Sequence, residues 1–392
     1  MASFYYLRLI KMIKVLFTIP NFETAGSGKA LLNVAMHLNP DKFEVHIACM
    51  HDRGVFFKQV ENAGIPIHIF QYTSKMKPYV KGLRKSYLIS KEFKAIAPDI
   101  IHSFHYAADY SEPLAARLAG IKWIFTKKNM NWGGSSKNAW YLRSFLANAI
   151  VLQNTDMKKQ FYQNSGKTHL IPRGVDTDFF EPQSRDNELA EQWQLHKKHR
   201  VLMCIANLVP IKGIGVLLRA FKAVVKQHAD WKLMIVGSAD NSYGREMIKL
   251  AQELDIKDHV MFCGKQHDIR NYLSLAEVVV LPTLQVGEGS PVSLLEAMSS
   301  AKNVLGSDVS GIRDQLQMFP THLVQAGNIT AWIEKLMEHC SNSQEKNLKI
   351  GLGFREHVIN NYPIEKEVYK CERVYELVNR KNNILNRIFH KN

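Results

Sequence analysis

The stretch Leu281-Pro-Thr-Leu-Gln-Val-Gly-Glu288-Gly-Ser-Pro-Val-Ser-Leu-Leu-Glu296-Ala-Met298 decides how this chain is read. The β-branched run from Val278 to Leu281 predicts a strand, and Glu288 lies in the Gly-rich turn that follows. Ser290 is placed to N-cap a helix, Pro291 falls at its first position, and Leu294 and Leu295 begin its apolar face. Such a junction points several backbone N–H groups and the positive end of a helix dipole at one place, which suits a phosphate. Glu288 precedes the cap, whereas Glu296 lies about one and a half turns into the helix. The two carboxylates therefore address different parts of one ligand.

Working outward, the same strand and helix alternation surrounds this junction. Arg200 to Ala206, Trp231 to Val236, His259 to Phe262, Glu277 to Leu281, Lys302 to Leu305 and His322 to Val324 read as strands, with helical spacing over Gly215 to Gln227 and Arg245 to Glu253. An earlier set is predicted at Ile13 to Ile19, Phe43 to Cys49, Ile65 to Phe70, Asp99 to Phe104, Lys122 to Thr126 and Ala149 to Gln153. Strands alternating with helices imply parallel sheets with covered faces, so the fold class is α/β with two Rossmann-like, doubly wound domains facing a cleft. The expected division is 1–182 for the first domain, a polar linker over 183–199, a second domain over 200–362 and a terminal helix over 363–392.

Composition agrees with a soluble, two-domain core. The 392 residues are 46% hydrophobic and 22% charged, and no run approaches the roughly 18 apolar residues of a membrane span. The apolar start is broken by Arg8, Lys11 and Lys14 and lacks a small-residue cleavage site, so no export signal is read. Met1 to Ile10 is expected as a short appendage, with dipping into a membrane surface as the alternative. The 5 cysteines are scattered, with no Cys/His ligand spacing, which argues for a reducing cytoplasm and against structural zinc. A formal net charge of +15 calls for an anionic partner without choosing among nucleic acid, lipid headgroups and phosphorylated substrates.

Several loops carry candidate chemistry. Glu23-Thr-Ala-Gly-Ser-Gly28-Lys29-Ala30 fails as an ATP-binding phosphate loop, because Glu23 stands at the first glycine and Ala30 after the lysine. What remains is a Gly-rich turn around Gly26. His102 and His105 fall at the carboxyl end of a strand, as hydrogen-bond partners for hydroxyls or phosphate or as structural histidines. Asp176 and Asp178 form only a short acidic pair in a turn, a weak metal signal. Lys212 sits at a loop-helix boundary, where the dipole opposes a cation unless an anion is bound. Lys77, Lys81, Arg84 and Lys91 recur at helical spacing, and Lys127, Lys128, Lys137 and Arg143 flank Trp132 and Trp140. Both groups read either as solvated faces or as a surface that rests on anionic lipid or holds a charged acceptor, at roughly 1 kcal/mol per basic side chain near such a membrane.

With these pieces in order, the chain resembles the retaining glycosyltransferases of family 4, which have the two-Rossmann GT-B fold. The resemblance covers nearly the whole sequence. Its most specific element is the pair Glu288 and Glu296, separated by seven residues, with Lys212-Gly213, Val236-Gly237, Leu281-Pro282 and Ser310-Gly-Ile-Arg-Asp314 in the family's order. The resemblance implies that Lys212 neutralises a leaving diphosphate, assisted by backbone N–H groups of Gly289, Ser290, Pro291 and Val292, although a proline has none to give. It implies that Glu296 holds ribose hydroxyls, that Glu288 binds donor-sugar hydroxyls near the reacting carbon, and that His105 or His102 contacts the donor sugar. Gly26 brings backbone toward the phosphates, and the loop at Lys265 lies near the base. It further implies that the Asp176 turn binds no metal, that no cofactor is needed, and that the last helix crosses back onto the first domain. Partners would be a nucleotide-sugar donor and a glycan or lipid-linked acceptor in cell-surface polysaccharide synthesis, with peripheral contact to an anionic membrane and no nucleic acid.

Two departures bear on charge. Many family members have arginine where Asn207 stands, and Arg173 replaces the family's asparagine in Pro172-Arg-Gly-Val-Asp176. Arg173 is therefore expected to restore part of the missing charge. The competing readings are a sugar-nucleotide epimerase on the same architecture, which would need no acceptor, and a non-catalytic polyanion-binding protein, suggested only by charge.

Overall fold

The computed structural model describes residues 12–389 apart from 24, 55, 133–136 and 286; the expected appendage at 1–10 and the residues after 389 lie outside the described residues. The first sheet contains β1 (Ile13–Ile19), β2 (Phe43–Cys49), β3 (Ile67–Ile69), β4 (Ile100–Ser103), β5 (Lys122–Lys127), β6 (Ala149–Leu152) and β7 (Thr168–Leu170). The second contains β8 (Arg200–Ile205), β9 (Trp231–Val236), β10 (Val260–Phe262), β11 (Val278–Leu281), β12 (Asn303–Ser307) and β13 (Leu323–Val324). Their spatial orders are β3-β2-β1-β4-β5-β6-β7 and β10-β9-β8-β11-β12-β13. Every pairing between these strands is parallel.

The strands read as continuous apolar runs because both faces of each sheet are covered. In β1, Val15, Leu16 and Phe17 are successive residues on alternating faces, and all three are buried. Val15 and Phe17 join a cluster with the helix Ala25–His37, while Leu16 packs into the opposite layer with Phe93, Ile101 and Trp123. The second sheet is sandwiched in the same way between two apolar layers.

The final helix, Ile364–Phe389, belongs to the first core. Ile364, Val368, Cys371, Tyr375 and Val378 repeat at three- and four-residue steps and pack with β1 and β2 residues. A parallel bridge between Val175 and Pro363 holds the return crossing beside the outgoing one. All five cysteines are free and buried. Among the described residues no helix is long and apolar enough to cross a membrane.

Strand order reverses direction between β1 and β4 in the first sheet and between β8 and β11 in the second. Loops leaving the carboxyl ends of such a strand pair diverge to opposite faces, which opens a crevice there. The chain thus has two crevices, one per domain.

Candidate active site between the two switch points

In the second domain, the crevice lies between the β8 and β11 loops, and these loops carry Lys212 and Glu288. Gly213 has φ +66°, and a Cβ there would collide with the Pro282 carbonyl oxygen, so glycine lets the two loops touch. Lys212 donates from Nζ to Glu288 Oε1 at 2.5 Å, and Thr283 donates from Oγ1 to the same oxygen at 2.7 Å. The Glu288 N–H donates to the Ser310 carbonyl at 2.9 Å, which fixes the loop. Asn207, in the β8 loop, is exposed.

The helix Val292–Ser299 begins one residue later than its sequence suggests. Pro291 is its N-cap residue, and no side chain caps it. Ser290 Oγ instead accepts from the Arg173 N–H at 3.2 Å and from Gln315 Nε2 at 3.1 Å, so it binds neighbouring chain rather than its own helix. The first N–H groups of the helix, starting with Val292, have no intrahelical acceptors. Glu296, buried within this helix, accepts from Lys29 Nζ at 2.8 Å.

Lys29 comes from the other domain. The helix Ala25–His37 starts at once after the β1 loop, so Gly26 and Gly28 stand in its opening turn rather than in a free loop. Gly26 is exposed, with open space where a Cβ would be. Ser27 accepts from Lys128 Nζ at 3.0 Å, and Lys128 also donates to the Phe104 carbonyl at the end of β4. Gly289, next to Glu288, packs directly on the Lys128 carbonyl, and any side chain at 289 would collide with it. The two switch points therefore face each other across this contact.

Further bonds join the domains around it. Asn154 Nδ2 donates to the Glu288 and Gly289 carbonyls at 2.9 and 2.8 Å. Thr155 donates from N and Oγ1 to the two Asp314 oxygens at 2.7 and 2.8 Å. Ser310 Oγ and Arg313 Nη1 reach Asp156 at 2.8 and 2.9 Å. Lys265 Nζ donates to the Glu23 carbonyl at 3.0 Å, so its exposed side chain spans the cleft mouth.

Three expectations need correction. His102 does not reach the cleft: it is buried, with Nδ1 at 2.6 Å from the Tyr375 hydroxyl and Nε2 at 2.8 Å from Thr126 Oγ1. Both nitrogens are consumed, and burial, then Arg173 and Lys128, hold its pKa down to about 3. Arg173 offers no spare charge either. Its guanidinium donates to buried Glu367 of the last helix at 2.7 Å, and that carboxylate also accepts the Gly174 N–H. Lys127 and Arg143 are wholly buried and cannot rest on lipid. Lys127 donates to Asn129 and Asn131 oxygens at 2.7 to 2.8 Å beneath the Trp140 ring, and burial, then Arg143, brings its pKa to about 7.

His105 keeps a place at the crevice wall, nearly buried, with Tyr72 and Tyr106 beside it and Nδ1 without a partner among the described residues. Burial, then Arg143 and Lys128, lowers its pKa to about 3, so it is neutral at ordinary pH. Its carbonyl accepts from Arg143 at 3.1 Å. Arg143 and Glu112 form a buried pair, and Glu112 accepts from Thr18 and Ser103 at the ends of β1 and β4. Burial raises the Glu112 pKa, against the opposing pull of Arg143. This network fixes the loop that presents His105.

The site consists of two parallel-sheet domains of GT-B type, with cations and carboxylates gathered where their switch points meet. The model of Glycosyltransferase Family 4 matches residues 24–179, and that of Glycosyl transferases group 1 matches residues 185–353. The chain belongs to these GT-B glycosyltransferases. It is 25% identical over 321 residues to an Escherichia coli UDP-Gal:alpha-D-GlcNAc-diphosphoundecaprenol alpha-1,3-galactosyltransferase, covering 76% of this chain and 80% of that protein. In structure it is similar to a glycosyltransferase from Rickettsia africae, with TM-score 0.80 and 20% identity over 94% of this chain and 99% of that one. The Anabaena protein HepE, solved in complex with UDP and glucose, superposes with TM-score 0.78 at 16% identity, over 93% and 99% of the two chains.

From the first domain, sequence reasoning singles out Gly26 and His105 but misses Lys29, Lys128 and Asn154. Lys29 was set aside with the failed phosphate loop, and Lys128 was grouped with surface cations. Asn154 carried no signal, because its partners are backbone carbonyls in the other domain.

Proposed function

We propose that the protein is a retaining transferase that moves a sugar from a nucleoside diphosphate to a glycan or lipid-linked acceptor in cell-surface polysaccharide synthesis. The observation that carries this reading is the meeting of Lys212 and Glu288, 2.5 Å apart, with the start of an eight-residue helix at a switch-point crevice. A glycosyl–phosphate bond breaks through an oxocarbenium-like state while negative charge builds on the diphosphate. Lys212 and the helix N–H groups from Val292 act on that charge, each preorganised donor being worth on the order of 3 kcal/mol. Glu288, freed from Lys212 when the diphosphate arrives, turns to the donor-sugar hydroxyls, and Glu296 exchanges Lys29 for the ribose. Charge stabilisation of this kind makes no demand on a metal. Neutral His105 contacts the donor sugar as a hydrogen-bond partner.

The acceptor class is supported by the named activity of the Escherichia coli relative, whose acceptor is a diphosphoundecaprenol-linked sugar. Contact with an anionic membrane is supported by the helix Tyr79–Ile96. It exposes Tyr79, Val80, Leu83 and Tyr87 among the exposed Lys81, Arg84 and Lys91. Such a face combines apolar insertion with attraction to acidic lipid. Sedimentation with anionic but not neutral vesicles checks it.

The decisive experiment is a thermal-shift and turnover screen of uridine, guanosine and adenosine diphosphate sugars, with the product anomer assigned by NMR. A binding donor raises the melting temperature with the logarithm of its concentration. Inversion at the anomeric carbon removes the retaining assignment. Turnover of a donor without acceptor, yielding an epimerised nucleotide sugar, replaces the transferase reading altogether.

A further inference from the structure

Three basic side chains around the cleft meet carboxylates directly. Lys212 faces Glu288, Lys29 faces Glu296, and Arg173 faces Glu367. Lys128 has no carboxylate within ion-pair distance among the described residues. Its ammonium leans on the Ser27 hydroxyl and the Phe104 carbonyl, beside the Phe104 and Tyr106 rings at 5.7 and 5.4 Å from their centroids. These partners are the opening turn of the helix after β1 and the residue that ends β4, so the ammonium lies in the first sheet's switch-point crevice. The Lys128 backbone touches Gly289, the neighbour of Glu288.

A desolvated cation held only by neutral oxygens is costly. Burial, then the charges of Arg173 and Arg143, pushes the Lys128 pKa well below the ordinary lysine range. Other charged groups around it do not relieve this: His102 and His105 are neutral, and Lys29, two residues along from Ser27, is already committed to Glu296. An anionic ligand supplies the missing partner. The second domain's own wall is charge-neutral at Lys212 and Glu288, which leaves a diphosphate with more negative charge than that wall offsets.

We propose that Lys128 is a donor-binding residue of the first domain, its ammonium taking a phosphate oxygen of the nucleoside diphosphate and so joining the two domains through the ligand. This rests on the nucleotide-sugar reading above and names a group in the opposite wall. Binding then exchanges the Ser27 and Phe104 contacts for charge-assisted bonds to phosphate. The ammonium gains a proton-holding partner, so above its free-state pKa binding draws in a proton and affinity falls as pH rises.

The test is calorimetric titration of UDP, GDP and ADP, each beside its nucleoside, into the native protein and Lys128→Met, in two buffers of different ionisation enthalpy. The native protein should bind one diphosphate with net proton uptake at alkaline pH. Lys128→Met should lose about tenfold or more in affinity for that diphosphate, corresponding to about 1.4 kcal/mol. It should also lose the proton uptake while keeping its affinity for the nucleoside. Without ligand the variant should melt no lower than the native protein, because it removes a partly buried, unmatched charge; Lys128→Gln serves if methionine disturbs folding. Diphosphate affinity within twofold of native, or equal loss of diphosphate and nucleoside, overturns the assignment of Lys128 alone. A native protein that binds none of the three diphosphates overturns the donor reading with it.

Discussion

The two walls of the cleft have the same architecture and opposite electrostatics. In the second domain, cation and carboxylate come from adjacent loops and meet directly, Lys212 on Glu288. In the first, a buried pair of Arg143 and Glu112 stands behind the wall while Lys128 and neutral His105 form its surface. One wall is satisfied without ligand. The other carries an exposed structural demand, met by neutral oxygens at Lys128 and left unmet at His105 Nδ1. On the proposed reading, the difference separates two ways of preparing for an anion: an ion pair that would open on binding, and a cation held in waiting by a rigid network.

The largest expected effect tests that network. Arg143→Met leaves Glu112 buried and uncompensated, and removes the donors on the Ser103 hydroxyl and the Asp109 and His105 carbonyls. A loss of about 3–5 kcal/mol in chemical denaturation is expected; unchanged stability would mean that the first wall is not built on this pair. Next comes the opposing wall. Glu288→Gln should lower turnover on the order of a hundredfold with the fold intact, as judged by circular dichroism and an unchanged urea midpoint. Combined with Lys212→Met, the loss should be clearly less than the sum of the two single losses, because the residues share one contact. Full additivity in that cycle breaks the picture of a paired wall.

The smallest difference concerns acid. Burial, first among the causes, holds the pKa of His102 and His105 in the first domain to about 3, and that of His339 and the half-buried His322 in the second to about 4. Their folded values lie below the unfolded value of 6.5, so the unfolded state binds more protons between those limits. Stability from these groups is complete above pH 6.5 and drains away as pH falls through the window toward 4 and then 3. Melting temperature followed from pH 7 to 4 should fall in both domains alike, with the first domain's pair separating only at the acid end. A stability maximum near pH 5 would contradict neutral burial.

Much of the fold was legible in the sequence because parallel strands covered on both faces carry continuous apolar runs, as in Val15 to Phe17 and Val278–Leu281. The positions of Lys212, Glu288 and Glu296 were legible for a related reason: each lies at a fixed place on a strand-loop-helix unit. The cap was misread by one residue, because Ser290 found better partners in Arg173 and Gln315 than in the helix beginning at Val292. His102, Arg173 and Lys127 were misread on a larger scale. Nothing near His102 or Arg173 along the chain indicates that Tyr375 and Glu367 wait to receive them, and the cations around Trp140 do not show which of them is buried beneath its ring.

By itself, then, the sequence determined two doubly wound domains and the placement of Lys212, Glu288 and Glu296 on the second wall, since both follow from periodicity and from loops only a few residues long. Tertiary structure alone decided which cations remain free for a ligand. That depends on pairings across more than a hundred residues, such as Lys29 with Glu296 and Arg173 with Glu367, and on the absence of one at Lys128 among the described residues. An ion pair is a statement about distance in space, and charge at a position in the chain does not reveal whether its partner has already arrived.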